Sequence, residues 1–117
     1  MPIIDLTDFF NEEASQTISR CFDVYLSCPK FEEESDLQHA INCRCALSSR
    51  EKIMKKDFHF IPNEVRIIGV ALLNASLILR GEVECPESQK QLISPFIFSI
   101  NKLSSKFGSF MDSLEDE

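Results

Sequence analysis

The residues of this sequence best suited to chemistry are a histidine and a cysteine four positions apart, His39 and Cys43. Residues at this spacing lie on the same face of an α-helix, so the imidazole and the thiol can meet. Such a pair can ligate a metal ion, and a neighbouring imidazolium can lower the pKa of a thiol. His39 and Cys43 are therefore a candidate ligand site or reactive-thiol site.

A metal site needs further ligands beside this pair, because protein-bound zinc is held tetrahedrally by several side chains. His59 and Cys85 are the residues that can supply them, but their separations match no zinc-finger or C-x-x-C spacing. We therefore expect no metal and no cofactor. The alternative hypothesis is a ligand or metal sensor that uses His39 and Cys43 together with His59 or Cys85.

The sequence lacks the motifs of the common enzyme classes. It has no glycine-rich nucleotide-binding loop, no H-E-x-x-H zinc motif and no G-x-S-x-G nucleophile motif. It has only two histidines, His39 and His59, and no set of residues resembling a catalytic triad can be recognised around either one. We expect that the protein is not an enzyme.

Basic residues near the end of a predicted helix form a second candidate site, for binding a partner. They are Arg50, Lys52, Lys55 and Lys56. Lysines near a helix C-terminus interact favourably with the helix dipole, so their position alone has a structural explanation. The functional interpretation is a contact with an acidic protein partner or with phosphates. Nucleic acid is not expected, because no aromatic stacking platform accompanies the cluster and the whole chain is acidic.

The overall charge and the cysteines predict a cytoplasmic protein. The formal net charge is −7, from 19 acidic residues and 12 Lys and Arg residues. The first residues include Asp5 and Asp8, and they lack the basic and apolar regions of a signal peptide. Five cysteines cannot all pair within one chain, so we expect reduced thiols, with Cys21 and Cys43 mostly inaccessible.

The segment from Val65 to Leu79 is apolar on every face of a helix, so it should be the buried centre of the fold. Asn63 can cap its start and Gly81 its end. About 15 residues span only about 22 Å, less than the hydrocarbon core of a membrane, so we expect a core helix and no membrane contact. The rival interpretation is a strand pair, residues 66–72 and 77–83.

The remaining segments predict a single all-α domain of 117 residues, with four main helices in which the central one is buried. Three glycines and five prolines allow few tight turns, which argues against a β-sandwich or barrel. Ser35 with Gln38, and Ser48 with Glu51, are spaced as N-terminal capping boxes. The predicted helices lie near 5–28, 35–56, 63–80 and 94–114, with an extended linker at 57–62.

The last predicted helix, with Ser94 as its N-cap, has a regular apolar stripe. The stripe consists of Ile93, Phe96, Ile100, Leu103, Phe107, Phe110 and Leu114. Spacings that alternate between three and four residues are typical of a bundle helix and also of a coiled-coil seam. A chain of this size has a limited interior, so we expect surplus apolar surface at Phe107, Phe110 and Met111 to form a homodimer or to bind a protein partner.

Together these features favour a small cytoplasmic, non-enzymatic protein that acts through protein–protein interaction, as a regulator, inhibitor, adaptor or chaperone-like protein. Such a protein needs only an exposed helical surface and a partner. The expected contact residues are the basic cluster at 50–56 and the apolar residues at 107–111.

Overall fold

The fold is a helical bundle with a minute two-stranded sheet, which confirms the all-α prediction. A computed structural model describes residues 2–27 and 34–115. In chain order the elements are strand β1 (Ile4–Asp5), helix α1 (Glu12–Ser27), helix α2 (Asp36–Met54), strand β2 (His59–Phe60), helix α3 (Pro62–Leu79), helix α4 (Glu87–Ile93), a 3-10 turn (Ser94–Phe96) and helix α5 (Ile97–Glu115).

Helix α3 lies at the centre of the bundle and contacts α1, α2 and α5. Every residue from 64 to 79 is buried or half-buried, except Leu73. The central core helix is therefore confirmed, and the rival strand pair at 66–72 and 77–83 is wrong. Helix α3 is also long and apolar enough to cross a membrane, and 56% of its residues are buried in the bundle.

The ends of α3 are fixed by specific backbone contacts. The Glu64 carboxylate accepts the Ile61 N–H at 2.9 Å, so the helix begins at Pro62 and Asn63 is not its cap. At the other end Gly81 has a φ of 79°. This left-handed conformation suits glycine, and it confirms the predicted C-terminal stop.

The predicted start of the first helix at Asp5 is wrong, because α1 begins at Glu12. Asn11 caps the helix, since Asn11 Oδ1 accepts the Ala14 N–H at 2.7 Å. The Asp5 carboxylate instead accepts the Thr7 N–H at 2.9 Å, which closes a local turn. The predicted end of this helix at residue 28 lies outside the described residues.

The extended linker at 57–62 contains strand β2, which pairs antiparallel with β1 and places Ile4 opposite Phe60. Phe60 is completely buried. The ring of Phe58 stacks on the ring of Phe10, with 4.7 Å between the centroids and 5° between the planes. The linker phenylalanines therefore cover the core, and the predicted extended linker also forms a strand pair that was not predicted.

Helix α2 starts as expected, because the Ser35 hydroxyl accepts the Gln38 N–H at 3.0 Å. The helix then runs without interruption to Met54, so the second predicted capping box at Ser48 is wrong. Ser48 donates its hydroxyl to the carboxylate of Glu64 in α3 instead. This contact links the middle of α2 to the start of the central helix.

The last helix starts later than predicted, because α4 and a 3-10 turn precede α5. Ser94 is not an N-cap, since its hydroxyl donates to the Lys90 carbonyl at 2.8 Å. Helix α5 is joined to α1 by the hydroxyls of Thr17 and Ser99, 2.8 Å apart. The stripe residues that are buried in the bundle are Ile93, Ile100, Leu103 and Phe107.

Candidate functional site

The structure brings His39 and Cys43 into contact on α2, as their spacing predicts. Cys43 Sγ lies 3.6 Å from His39 Nε2. The other ring nitrogen, His39 Nδ1, lies 2.6 Å from Oε1 of Glu34, just before the helix. A thiol, an imidazole and a carboxylate therefore stand in one row, which we call the α2 thiol site.

Hydrogen bonds from neighbouring residues hold the carboxylate of this row. Asn42, one helical turn from Gln38, donates from Nδ2 to Glu34 Oε2 at 2.8 Å. Asn42 Oδ1 in turn accepts from Gln38 Nε2 at 2.9 Å and from Arg66 Nη2 of α3 at 2.6 Å. Because Asn42 is buried and fully engaged, Glu34 has a fixed place against the imidazole.

The electrostatics of the α2 thiol site keep its thiol protonated. Burial raises the pKa of Cys43, and the Glu34 carboxylate raises it further. The same factors act on Tyr25 of α1, where burial first and then the charges of Glu34 and Cys43 raise the pKa to about 12. The sequence-based hypothesis that His39 lowers the pKa of Cys43 is therefore wrong. Burial and the Glu34 carboxylate raise this pKa instead.

The alternative metal set is not assembled in the described part of the chain, where no group of three His, Cys, Asp or Glu side chains is placed to hold a metal ion. His59 lies in β2, with its ring nitrogens 3.1 Å from Asp57 and 3.7 Å from Asp5. Cys85 lines a cleft with Gly81 and Glu87 after α3. Neither residue joins the α2 thiol site.

The predicted basic cluster is largely used to hold the fold together. Arg50 Nη1 lies 2.6 Å from Asp23 Oδ1 and so ties α2 to α1. Lys52 Nζ lies 2.6 Å from Oε1 of the buried Glu64 and so ties α2 to α3. Arg50 and Lys52 are therefore not free to bind an acidic partner, because each already forms an ion pair with an acidic residue of another helix.

The other two basic residues are exposed. Lys55 Nζ pairs with Glu51 Oε1 at 2.8 Å, one turn earlier on the same helix. Lys56 follows the helix with a φ of 59°. Exposed pairs of this kind contribute little to stability. Lys55 and Lys56 remain the predicted contact residues that the fold leaves on the surface.

The apolar residues predicted to bind a partner lie closer to the core than expected. Phe107 is 4% exposed and packs inside the bundle, so its assignment to a partner surface is wrong. Phe110 and Met111 are half-buried against the same core. The interior accommodates this part of the stripe because α3 presents Gly69 rather than a side chain to Phe107.

The exposed apolar surface that sequence reasoning missed lies on the outer side of α2. We define the outer face of α2 as Leu37, Ile41, Arg44, Leu47, Glu51 and Met54. Its apolar members are Leu37, Ile41, Leu47 and Met54, which are 73%, 38%, 49% and 74% exposed. At 100° per residue these side chains share one arc of less than half the helix circumference.

Helix α2 does not bury its large apolar residues Leu37, Ile41 and Leu47. The residues that it buries are Asn42, Ala46, Ser49 and Ile53. Small and polar residues can face the core here because they are hydrogen-bonded, as in Ser49, which donates to the Cys45 carbonyl at 2.7 Å. The apolar residues are consequently left outside.

Comparison with known proteins adds no relative from which a function can be transferred. No protein family, curated protein sequence or solved structure matches the chain. Two features of α2, its outer face and the thiol site, are the structural indications of function in this chain.

Proposed function

We propose that the chain is a small, non-enzymatic interaction protein that associates with a second copy of itself through the outer face of α2. The supporting observation is the concentration of four exposed apolar side chains on one face of one helix. Single exposed apolar residues are normal, but several on one helix face are typical of interaction surfaces. Burying this set against another protein removes apolar area from water, which favours association.

Charge complementarity supports a second copy as the partner. When two α2 helices pack antiparallel around a two-fold axis between residues 47 and 48, Arg44 lies opposite Glu51 of the second copy. Symmetry forms this pair twice. The same register brings the two Leu47 side chains together at the axis.

The antiparallel orientation follows from the same charges. In a parallel two-fold pair each residue would face its own copy, so Arg44 would meet Arg44 and Glu51 would meet Glu51, which is repulsive. Arg44 has no ion-pair partner among residues 2–27 and 34–115, so it is available to another chain. Glu51 already has Lys55 nearby, and an interchain Arg44 would extend this pair into a network.

The expected affinity is moderate. A helix of 19 residues is about 28 Å long. One helix pair buries less than the roughly 800 Å² per partner of a standard interface, so we expect a dissociation constant in the micromolar range. The dimer should therefore form and dissociate within an experimentally accessible concentration range.

Sedimentation equilibrium over low micromolar to submillimolar concentrations tests the proposal. We expect a monomer–dimer equilibrium for the wild type and a monomer for Leu47→Asp, because the carboxylate would be desolvated at the axis. Phe98→Asp is the matched control, since Phe98 is 87% exposed on α5 and outside the outer face of α2. It should leave the equilibrium unchanged.

Charge reversal tests the register. Arg44→Glu should weaken the dimer by placing two acids opposite each other, and adding Glu51→Arg should restore it. If the wild type stays monomeric at the highest concentration, the proposal of self-association is wrong. A dimer that is insensitive to both Leu47→Asp and Arg44→Glu would place the interface elsewhere.

A further inference from the structure

We propose that Cys43 is a base-assisted thiol that exchanges with low-molecular-weight disulfides, with His39 as its proton acceptor and Glu34 as the residue that positions His39. This inference is independent of self-association through the outer face of α2. It depends on the geometry of the α2 thiol site alone.

The contact between Glu34 and His39 determines the useful tautomer of the imidazole. A carboxylate is only an acceptor, so the 2.6 Å contact between Glu34 Oε1 and His39 Nδ1 requires the proton on Nδ1. A neutral imidazole then has its free lone pair on Nε2. That atom is the one that lies 3.6 Å from Cys43 Sγ.

The positions of these groups are fixed by contacts across two helices. The Glu34 side chain is 11% exposed, and its second oxygen accepts from Asn42. Asn42 is itself held by Arg66 of α3 at 2.6 Å. A base oriented by a third group within hydrogen-bonding distance is the general requirement for activating a nucleophile.

Cys43 is only partly buried, so the prediction that its thiol is mostly inaccessible is wrong, and small molecules can approach it. Cys43 is half-buried, the His39 side chain is 33% exposed, and both lie about a quarter to a third of a turn from the centre of the outer face of α2. Cys21 provides the contrast, since it is completely buried and burial raises the pKa of its thiol to about 12. A buried thiol of that kind is inert.

Disulfides fit the site better than acyl substrates do. Acyl transfer requires hydrogen-bond donors for a developing oxyanion, and the backbone N–H of Cys43 lies within α2, in the helical ladder. Disulfide exchange has no oxyanion, because the leaving group is a thiolate. The site therefore has what exchange needs, a nucleophile and a proton acceptor.

The exchange step is balanced in atoms and electrons. Cys43 transfers its proton to His39 Nε2 while its sulfur attacks one sulfur of the disulfide. A new sulfur–sulfur bond forms, the original one breaks, and the departing thiolate takes the proton from His39. Cys43 is oxidised to a mixed disulfide and half of the small molecule is reduced to a thiol.

The charged groups around the thiol explain why the base should control the rate. Burial and then the charge of Glu34 beside α2 raise the pKa of Cys43, so both disfavour a free thiolate. The Tyr25 hydroxyl of α1 is neutral at physiological pH because its pKa is about 12. A protonated thiol reacts slowly unless a base removes its proton, and a thiolate of high pKa is intrinsically more nucleophilic.

The rate of glutathionylation by glutathione disulfide tests the inference in the intact protein. Cys45 is an internal control, because it is also half-buried on α2 but its sulfur has no polar partner in the described residues. Trypsin cleaves after Arg44 and so separates the two cysteines for mass spectrometry. We expect Cys43 to react at least about tenfold faster than Cys45 at neutral pH.

Variants separate base assistance from exposure. His39→Gln should lower the Cys43 rate about tenfold without changing the Cys45 rate, and Glu34→Gln should lower it less while changing its pH profile. His59→Gln is the matched control, since His59 is exposed and distant in sequence from the site, and it should have no effect. Unchanged Cys45 and Cys21 rates, together with circular dichroism, verify folding.

Two results would overturn the inference. One is a wild-type Cys43 that reacts no faster than Cys45. The other is a folded His39→Gln variant that keeps the wild-type Cys43 rate, which would show that exposure rather than proton transfer controls the reaction.

Discussion

Gly69 of α3 lies directly against the ring of Phe107 in α5, so closely that a Cβ added at residue 69 would be 2.7 Å from Phe107 Cε1. Only glycine allows the two helices to approach in this way. The Phe107 ring also packs edge-on against Phe9, with 5.6 Å between the ring centroids. This contact explains why the aromatic stripe of α5 faces the core.

Gly69→Ala should therefore destabilise the protein. Alanine is a better helix former than glycine by about 1 kcal/mol, but crowding a packed ring costs about 1–3 kcal/mol. We expect a net loss measured as a lower urea midpoint. Gly108→Ala is the matched control, because a Cβ at this helical position meets nothing within 4 Å. It should raise the midpoint; a Gly69→Ala variant as stable as Gly108→Ala would contradict the close contact.

Glu64 is expected to be the carboxylate most important for stability. It is 2% exposed and accepts from Lys52 Nζ, the Ser48 hydroxyl and the Ile61 N–H. Glu64→Gln keeps the shape but loses the charge-assisted bonds, so we expect a loss of about 1–3 kcal/mol in urea unfolding. Glu82→Gln, which breaks the exposed pair of Glu82 with Arg80, should leave stability almost unchanged.

The same carboxylate predicts a pH dependence of stability. Burial raises the pKa of Glu64, but the bonds from Lys52, Ser48 and Ile61 outweigh it and leave the pKa below its usual value of 4.5. The folded state then binds this proton less readily than the unfolded state. Its stabilisation is present above pH 4.5 and is lost as the pH falls through the lower folded pKa.

Urea midpoints measured from neutral to acidic pH check this dependence. The wild type should lose stability below pH 4.5, and Glu64→Gln should show a shallower decline because the titrating group is gone. If the urea midpoints of the wild type and of Glu64→Gln decline equally with falling pH, carboxylates other than Glu64 cause the acid sensitivity.

The sequence predicts the central helix and the α5 stripe well because both depend on local periodicity. Residues that are apolar over a whole helix must be buried, and α3 confirms this. The sequence does not indicate which face of α2 is buried, because burial there depends on hydrogen bonds between helices, such as the one from Arg66 to Asn42. No local pattern indicates that a buried asparagine will be satisfied from another helix.

The α2 thiol site was half predictable for the same reason. The spacing of His39 and Cys43 indicates their contact directly. Glu34 belongs to an acidic run that is typical of a solvated loop, so its role as a partner of His39 had no sequence signal. The chain turns at Ser35 into α2, and this turn brings the carboxylate back over the first helical turn.

Thiol labelling of the native protein should distinguish the described cysteines. Cys21 lies on the core-facing side of α1 and is completely buried, so it should react only after unfolding. Cys43, Cys45 and Cys85 are half-buried and should react in the native state. Mass spectrometry after brief alkylation checks this, and rapid native labelling of Cys21 would contradict the packing of α1.

Salt should weaken the proposed dimer in a way that depends on Arg44 and Glu51. The antiparallel register forms two interchain pairs at the rim of an apolar contact, and exposed charges are screened over about 10 Å at 0.1 M salt. We expect the wild-type dissociation constant to rise modestly with sodium chloride, measured by sedimentation. The double variant Arg44→Gln/Glu51→Gln should dimerise more weakly at low salt and lose this dependence, while Lys106→Gln on α5 should keep it. If the double variant retains the wild-type salt dependence, Arg44 and Glu51 do not meet across the interface and the register is wrong.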